Sequence, residues 1–206
     1  AIAAAMVMST VPATPVQAAG GKTLAVSSQK QLNQALKTVK GKNAVITVKA
    51  GKNVKITIPK GTYKVTIRVV GKKAAVVNNG TVKEIVVNSK GTVTIKNNGT
   101  IKKVTAQNAK SVSFSGNCKK AVPVVVNAED VSMILAAPAK ITAKKDVNIV
   151  LKKGAEKSSI MCKKNAQAQV DNQTKKAISV KIADGTTLKV ESGESCTITP
   201  KGKKED

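Results

Sequence analysis

Between Ile46 and Ile198 a short motif returns every 18 to 20 residues: an apolar residue, one outward residue, then a second apolar residue. A chain with this internal period has few ways to fold. The first member falls at Ile46, Val65, Ile85, Val104, Val122, Ile141, Ile160, Ile178 and Cys196, and two residues further on stand Val48, Ile67, Val87, Ala106, Val124, Ala143, Cys162, Val180 and Ile198. A second pair usually follows eight residues after the first, as in Val54/Ile56, Val93/Ile95, Val112/Phe114, Ile149/Leu151 and Ala168/Val170; Ala74/Val76, Val131/Met133 and Leu188/Val190 need looser spacing. Alternation with period two is the strand signal. Corners such as Asn78-Asn79-Gly80 and Asn97-Asn98-Gly99 separate the strands. The expected fold is therefore all-β, a solenoid of about eight to nine coils over residues 42–200. A single coil buries too little apolar surface to offset the entropy of ordering it, so the coils are stable only when stacked.

Composition fits a narrow core. Tyr63 and Phe114 are the only aromatic residues among 206, and Trp and His are absent, which leaves Val, Ile and Ala to fill the interior. Residues 1–19 are uncharged and apolar to small, and they end in Val16-Gln17-Ala18-Ala19. That pattern reads as the rear of a secretory signal peptide cleaved near Ala18, and hence as export to the medium or a bacterial cell surface. Pro12 and Pro15 argue against a spanning helix in this stretch, and no integral membrane segment is expected in the mature chain. Residues 201–206 form a polar tail. Three cysteines cannot all pair within one chain. Cys162 and Cys196 fall at inward positions and Cys118 near a corner, so they are expected to act as small apolar residues.

Ahead of the coils, in the segment 20–41, Ser28 and Gln31 make a capping box, and Leu32, Ala35, Leu36 and Val39 form the apolar stripe of a helix ending before Gly41. Such a helix would cover the open end of the first coil, whose strand edge would otherwise invite aggregation. A short strand (Thr23 to Val26), an amphipathic helix, a Gly turn and stacked coils resemble the start of pectate-lyase-like right-handed parallel β-helix proteins, and the resemblance extends over about Lys22 to Pro200. It implies a right-handed solenoid. A left-handed hexapeptide solenoid needs an aliphatic residue every six positions, and Lys52 stands six beyond Ile46.

The chemistry implied by that resemblance, proton abstraction beside a uronic acid with calcium held by stacked carboxylates, is not carried by these residues. Measured from the first apolar residue of each coil, Asp146, Asp184, Asp130, Asp171 and Glu84 all fall at different offsets. Glu129/Asp130 and Glu191/Glu194 are sequence neighbours rather than partners across a cleft. No imidazole base, P-loop or dinucleotide fingerprint is present. The expectation is a non-catalytic protein with no metal and no cofactor; the alternative is a divergent polysaccharide lyase acting on acidic glycans.

Charge is the main functional clue. Thirty-six basic residues against eleven acidic ones give +25, and Arg68 is the only base that is not lysine. Three residues after successive first core positions stand Lys49, Arg68, Asn88, Gln107, Val125, Lys144, Lys163 and Lys181, and the last three are expected to be stacked neighbours. Ammonium groups about 4.8 Å apart repel by roughly 0.9 kcal/mol in water. An anionic polymer lying along them would relieve that repulsion and release counterions. Teichoic acid, acidic polysaccharide, mucin glycan and extracellular DNA all qualify as partners. Lysine lacks the bidentate fork of arginine, so the binding is expected to be salt-sensitive and poorly discriminating. A Thr row (Thr47, Thr66, Thr105, Thr142, with Ser179) is interrupted by Val86, Pro123 and Met161 and reads as ordinary strand propensity. The expected role is a structural or adhesive module at or outside the cell surface, with Lys144, Lys163, Lys181, Lys49 and Arg68 as polymer-binding residues. Nothing in the sequence specifies the oligomeric state.

Overall fold

The structure, a computed structural model, describes residues 21–51 and 53–201. The leader over 1–19 and most of the tail over 201–206 lie outside them. The chain opens with β1 (Lys22–Val26) and α1 (Gln29–Thr38), then runs through β2 (Ala44–Ala50), β3 (Val54–Ile58), β4 (Val65–Gly71), β5 (Lys73–Asn78), the short β6 (Thr81–Val82), β7 (Glu84–Asn97), the short β8 (Thr100–Ile101) and β9 (Val104–Ser115). It continues as β10 (Val122–Val126), β11 (Val131–Leu135), β12 (Ala139–Ala143), β13 (Val147–Leu151), β14 (Ser159–Cys162), β15 (Ala168–Asn172), β16 (Ile178–Ile182), β17 (Thr187–Val190) and β18 (Ser195–Ile198). These strands stack into a parallel β-solenoid of about eight turns.

Two stacks of strands face each other across the core. One runs β1-β2-β4-β7-β9-β10-β12-β14-β16-β17, and the other runs β3-β5-β7-β9-β11-β13-β15-β18. The long strands β7 and β9 belong to both stacks because they continue round the corner between them. Inward residues form continuous columns, such as Val54, Ala74, Val93, Val112, Met133, Ile149, Val170 and Cys196. The next column brings Ile56, Val76, Ile95, Phe114, Leu135 and Leu151 together, all buried to 1% exposure or less. Burying side chains of this size is worth about 1.5–3 kcal/mol each, which is where the stack gains its stability.

Apart from Leu188, every inward position read from the period is buried or partly buried, but its neighbours differ at three coils. Ile46 lies across from Ile67 rather than Val65, Val104 across from Val124 rather than Val122, and Ile160 across from Val180 rather than Ile178. Each difference is two residues. A shift of two keeps the apolar face inward, so the hydrophobic pattern cannot detect it. The Thr row changes accordingly: Thr47 lies across from Arg68 and Thr66 across from Glu84.

The last coil is also different from the expectation. β17 runs antiparallel to β16, and β18 runs antiparallel to β15. Cys196 therefore belongs to the second stack, opposite Val170, and Leu188 is 42% exposed on the end of the first. The reversal follows from the short turn between β16 and β17, where Gly185 has positive φ and the Asp184 carboxylate accepts the N–H of Thr186 at 2.9 Å; the turn at Gly193, also with positive φ, carries the reversed chain from the first stack to the second.

At the other end, α1 covers the core as its stripe predicts. Leu32, Ala35, Leu36 and Val39 are buried. The Ser28 side chain accepts the N–H of Gln31 at 3.2 Å, while Gln31 Oε1 accepts the N–H of Ser27 at 2.7 Å, one residue upstream of the expected box. Gln29 does a second job: its Nε2 donates to the Thr57 carbonyl at 2.8 Å and its Oε1 accepts the Thr57 N–H at 2.7 Å. A side-chain amide thus takes the place of a neighbouring strand on the open edge of β3.

Candidate functional site

The five bases singled out from the sequence do not form one site. Lys144 and Lys163 are successive rungs, since their N–H groups donate to the carbonyls of Val126 and Ala143 on the strands they follow. Lys181 is displaced by the two-residue shift and lies across from Met161 instead of Lys163. It shares its column with Arg68, but Val86, Thr105, Val125, Thr142 and Met161 stand between them. Arg68 is half-buried, and its Nε is enclosed without a hydrogen-bond partner. Lys49 lies across from Val70 on an early coil.

A different cationic ladder is present at the corner that follows β3, β5 and β7. The sequence there reads Gly61-Thr62-Tyr63-Lys64, Gly80-Thr81-Val82-Lys83 and Gly99-Thr100-Ile101-Lys102, three copies with steps of 19. Thr62, Thr81 and Thr100 stack in register, as do Val82 and Ile101. Each residue type has a physical reason. The glycines bring successive coils into close backbone contact: a Cβ on Gly99 would run into the Gly80 carbonyl, and one on Gly80 would come within 2.8 Å of the Gly61 oxygen. The third residue points inward at Val82 and Ile101, which are 0% and 3% exposed. Thr and Lys flank it on the outside. The repeated G-T-x-K is legible in the sequence, but the apolar period marks the sheet columns and not these corner residues.

Buried asparagines hold this corner. Asn78 Nδ2 donates to the Asn97 Oδ1 at 2.8 Å, to the Gly80 carbonyl at 2.9 Å and to the Thr100 carbonyl at 3.3 Å. Asn97 in turn donates to the Gly99 carbonyl at 3.2 Å and to the Cys118 Sγ at 3.4 Å. Below them Asn98 donates to Asn79 at 3.0 Å on the surface. The ladder is therefore built on a fixed backbone rather than on a loose loop.

Its electrostatic setting is one-sided. Twenty lysines and Arg68 lie in residues 21–128 against a single acid, Glu84, so that half carries a formal charge of +20, and the other ten acids reduce residues 129–206 to +5. Glu84 is engaged on the sheet face, where Lys103 Nζ is 3.2 Å away and Thr105 donates to it at 2.7 Å. Lys64, Lys83 and Lys102 share a shallow groove of about 480 Å³ with Thr62, Tyr63 and Thr81. A second groove of about 670 Å³ continues from Lys102 to Lys119 and Lys120, past Cys118. Together they line up ammonium and hydroxyl groups from coil to coil, with a rise of about 4.8 Å per rung.

The carboxylates expected to be scattered are used locally: Asp146 accepts the N–H of Gln167 at 2.8 Å, Glu129 that of Asp146 at 3.3 Å, and Glu156 that of Gly154 at 2.9 Å. Backbone hydrogen bonds of this kind hold the Glu156 and Asp184 carboxyls below the usual range. Among the described residues no three His, Cys, Asp or Glu side chains are gathered as a metal site. Nor, among them, is any helix long and apolar enough to cross a membrane. No disulfide joins any two of the three cysteines. Cys162 is buried with its Sγ 3.0 Å from the Ala166 carbonyl oxygen; burial pushes Cys118 up, and burial together with Glu194 pushes Cys196 up.

Comparison with family models, curated proteins and solved structures gave no match to this chain. The fold and the site together define a lysine-rich parallel β-solenoid with a corner ladder of repeated Thr and Lys.

Proposed function

We propose that this protein is an exported, non-catalytic structural or adhesive module that works at or outside a bacterial cell surface by binding anionic polymers. The observation that carries the reading is the three-rung ladder of Lys64, Lys83 and Lys102, placed in the half of the chain where twenty-one bases face one acid. Lysines at this separation repel one another unless an anion lies along them, and a bound polymer gains from the release of its counterions. Lys144 and Lys163 supply a smaller second patch on the less charged half. Export rests on the leader sequence over 1–19. Kinship with pectate-lyase-like β-helices is part of the same proposal and rests on the strand, helix and coil order at the N-terminus.

The test is binding of the mature chain to DNA, a sulfated glycan and a neutral glycan at 50 and 200 mM salt. Three ammonium groups on a flexible polyanion give a slope of about −2 in log affinity against log salt, hence a loss of about 20-fold between those conditions. Neutralising Lys64, Lys83 and Lys102 together with Gln should remove most of that slope, and the same change at Lys144, Lys163 and Lys181 should remove less. Equal effects would return the lysines to a general solubility role, and cleavage of a uronate polymer into unsaturated products would overturn the non-catalytic reading.

A further inference from the structure

Tyr63 departs from its repeat. It occupies the position that Val82 and Ile101 fill from within, yet it is only partly buried: it packs against the core and also lines the ladder groove. The ring is laid over two glycines: a Cβ on Gly61 would meet its hydroxyl at 2.7 Å, and a Cβ on Gly80 would meet its Cε2 at 3.0 Å. Its hydroxyl donates to the Lys60 carbonyl at 3.1 Å, which anchors the tip of the ring. The only other aromatic side chain, Phe114, is buried, so Tyr63 is the sole aromatic surface in the chain.

A groove that combined only ammonium groups would suit any polyanion. This one adds a row of hydroxyls, Thr62 and Thr81, and one aromatic face. An acidic glycan has a use for all three: the C–H face of a sugar packs on the ring, its hydroxyls pair with threonine, and its acid group meets lysine. Single-stranded nucleic acid is served instead by a succession of aromatic platforms, one for each stacked base, and here there is one. Resting on the polyanion reading above, we infer that the groove at Tyr63 is a subsite for a carboxylated or sulfated sugar unit of a glycan chain. The ring of Tyr63 carries the sugar face, Lys64 and Lys83 take the acid group, and Lys102 takes the next one along.

The protein supplies its own reporter, since it has one tyrosine and no tryptophan. Tyrosine emission is followed while the mature chain is titrated at 50 and 150 mM salt with dextran sulfate, with polyacrylate as a polyanion without sugars, and with a single-stranded oligonucleotide. Binding is measured in parallel for the Tyr63→Ala and Tyr63→Phe variants, with thermal melts to confirm that each folds. Dextran sulfate should change the emission and lose about fivefold or more in affinity with Tyr63→Ala, the worth of one stacking contact. Tyr63→Phe should keep the affinity, and polyacrylate should bind both variants equally without altering the emission. Equal loss on dextran sulfate and polyacrylate, or an unchanged emission on glycan binding, would overturn the sugar subsite while leaving polyanion binding intact. A larger loss on the oligonucleotide would assign the ring to a base instead. Absence of binding to all three polymers at both salts would reject the polyanion reading itself.

Discussion

Replacing Asn78 with Asp asks whether a buried amide, and not its shape alone, keeps the ladder corner in register. Asn78 is fully buried; its Nδ2 donates to Asn97, Gly80 and Thr100, and its Oδ1 accepts the Gly80 N–H at 3.3 Å. At about 1 kcal/mol net per bond, and more where a buried acceptor is orphaned, loss of the amide donor costs about 2–4 kcal/mol. Aspartate has the same outline, but once ionised it has no donor and faces three oxygens. The folded state therefore favours the protonated acid and raises its pKa above the ordinary value of about 3.9. For a carboxyl raised on folding, the protonated side chain is tolerated at low pH, and stability falls as pH climbs from the unfolded value towards the folded one. The fall is about 1.4 kcal/mol per pH unit, reaching up to about 4 kcal/mol by pH 7. Urea unfolding followed by far-ultraviolet circular dichroism at pH 4, 5.5 and 7 measures it. With a slope of about 1–3 kcal/mol per molar urea, the midpoint of Asn78→Asp should drop by more than about 1 M over that range relative to the parent chain. Asn78→Ala should be destabilised by a similar amount at every pH. If the Asp variant followed the parent across the series, the amide network would not be what holds the corner.

Two further outcomes follow from the same corner and from the thiols. Gly99→Ala should destabilise the fold far more than an exposed Thr100→Ala, because its Cβ has no space beside the Gly80 carbonyl, and thermal melts of the two variants give the comparison. Cys118 and Cys196 should alkylate more slowly at pH 7.5 than a free cysteine, with rates still rising above pH 9; Glu194→Gln should speed Cys196, and Cys162 should react only on unfolding, all of which mass spectrometry of a timed alkylation resolves.

Much of the fold is legible because a solenoid writes itself in period. The alternation within each strand marks its inward face, the interval of about nineteen residues marks the coil, and the stripe from Leu32 to Val39 marks the capping helix. The candidate site was legible only in part. The excess of lysine and its concentration before Glu129 are sequence facts, and so is the threefold G-T-x-K. Which lysines become neighbours is not, because counting from the apolar motif drifts wherever a corner is longer or shorter. This is why Lys181 meets Met161 rather than Lys163.

By itself the sequence determined parity and period: which side chains face in, how many residues make a turn, and where charge gathers along the axis. Tertiary structure decided register and direction. A two-residue slip leaves every apolar side chain inside, so the choice between Val65 and Ile67 as neighbour of Ile46 falls to backbone hydrogen bonds and corner geometry. The turn at Gly185 reverses the chain, so that the last two strands run antiparallel to their neighbours. Tyr63 packs against the core yet stays partly exposed over Gly61 and Gly80, where Val82 and Ile101 in the same place of the repeat are buried, because the space beside a glycine exists only once the neighbouring coil is stacked against it.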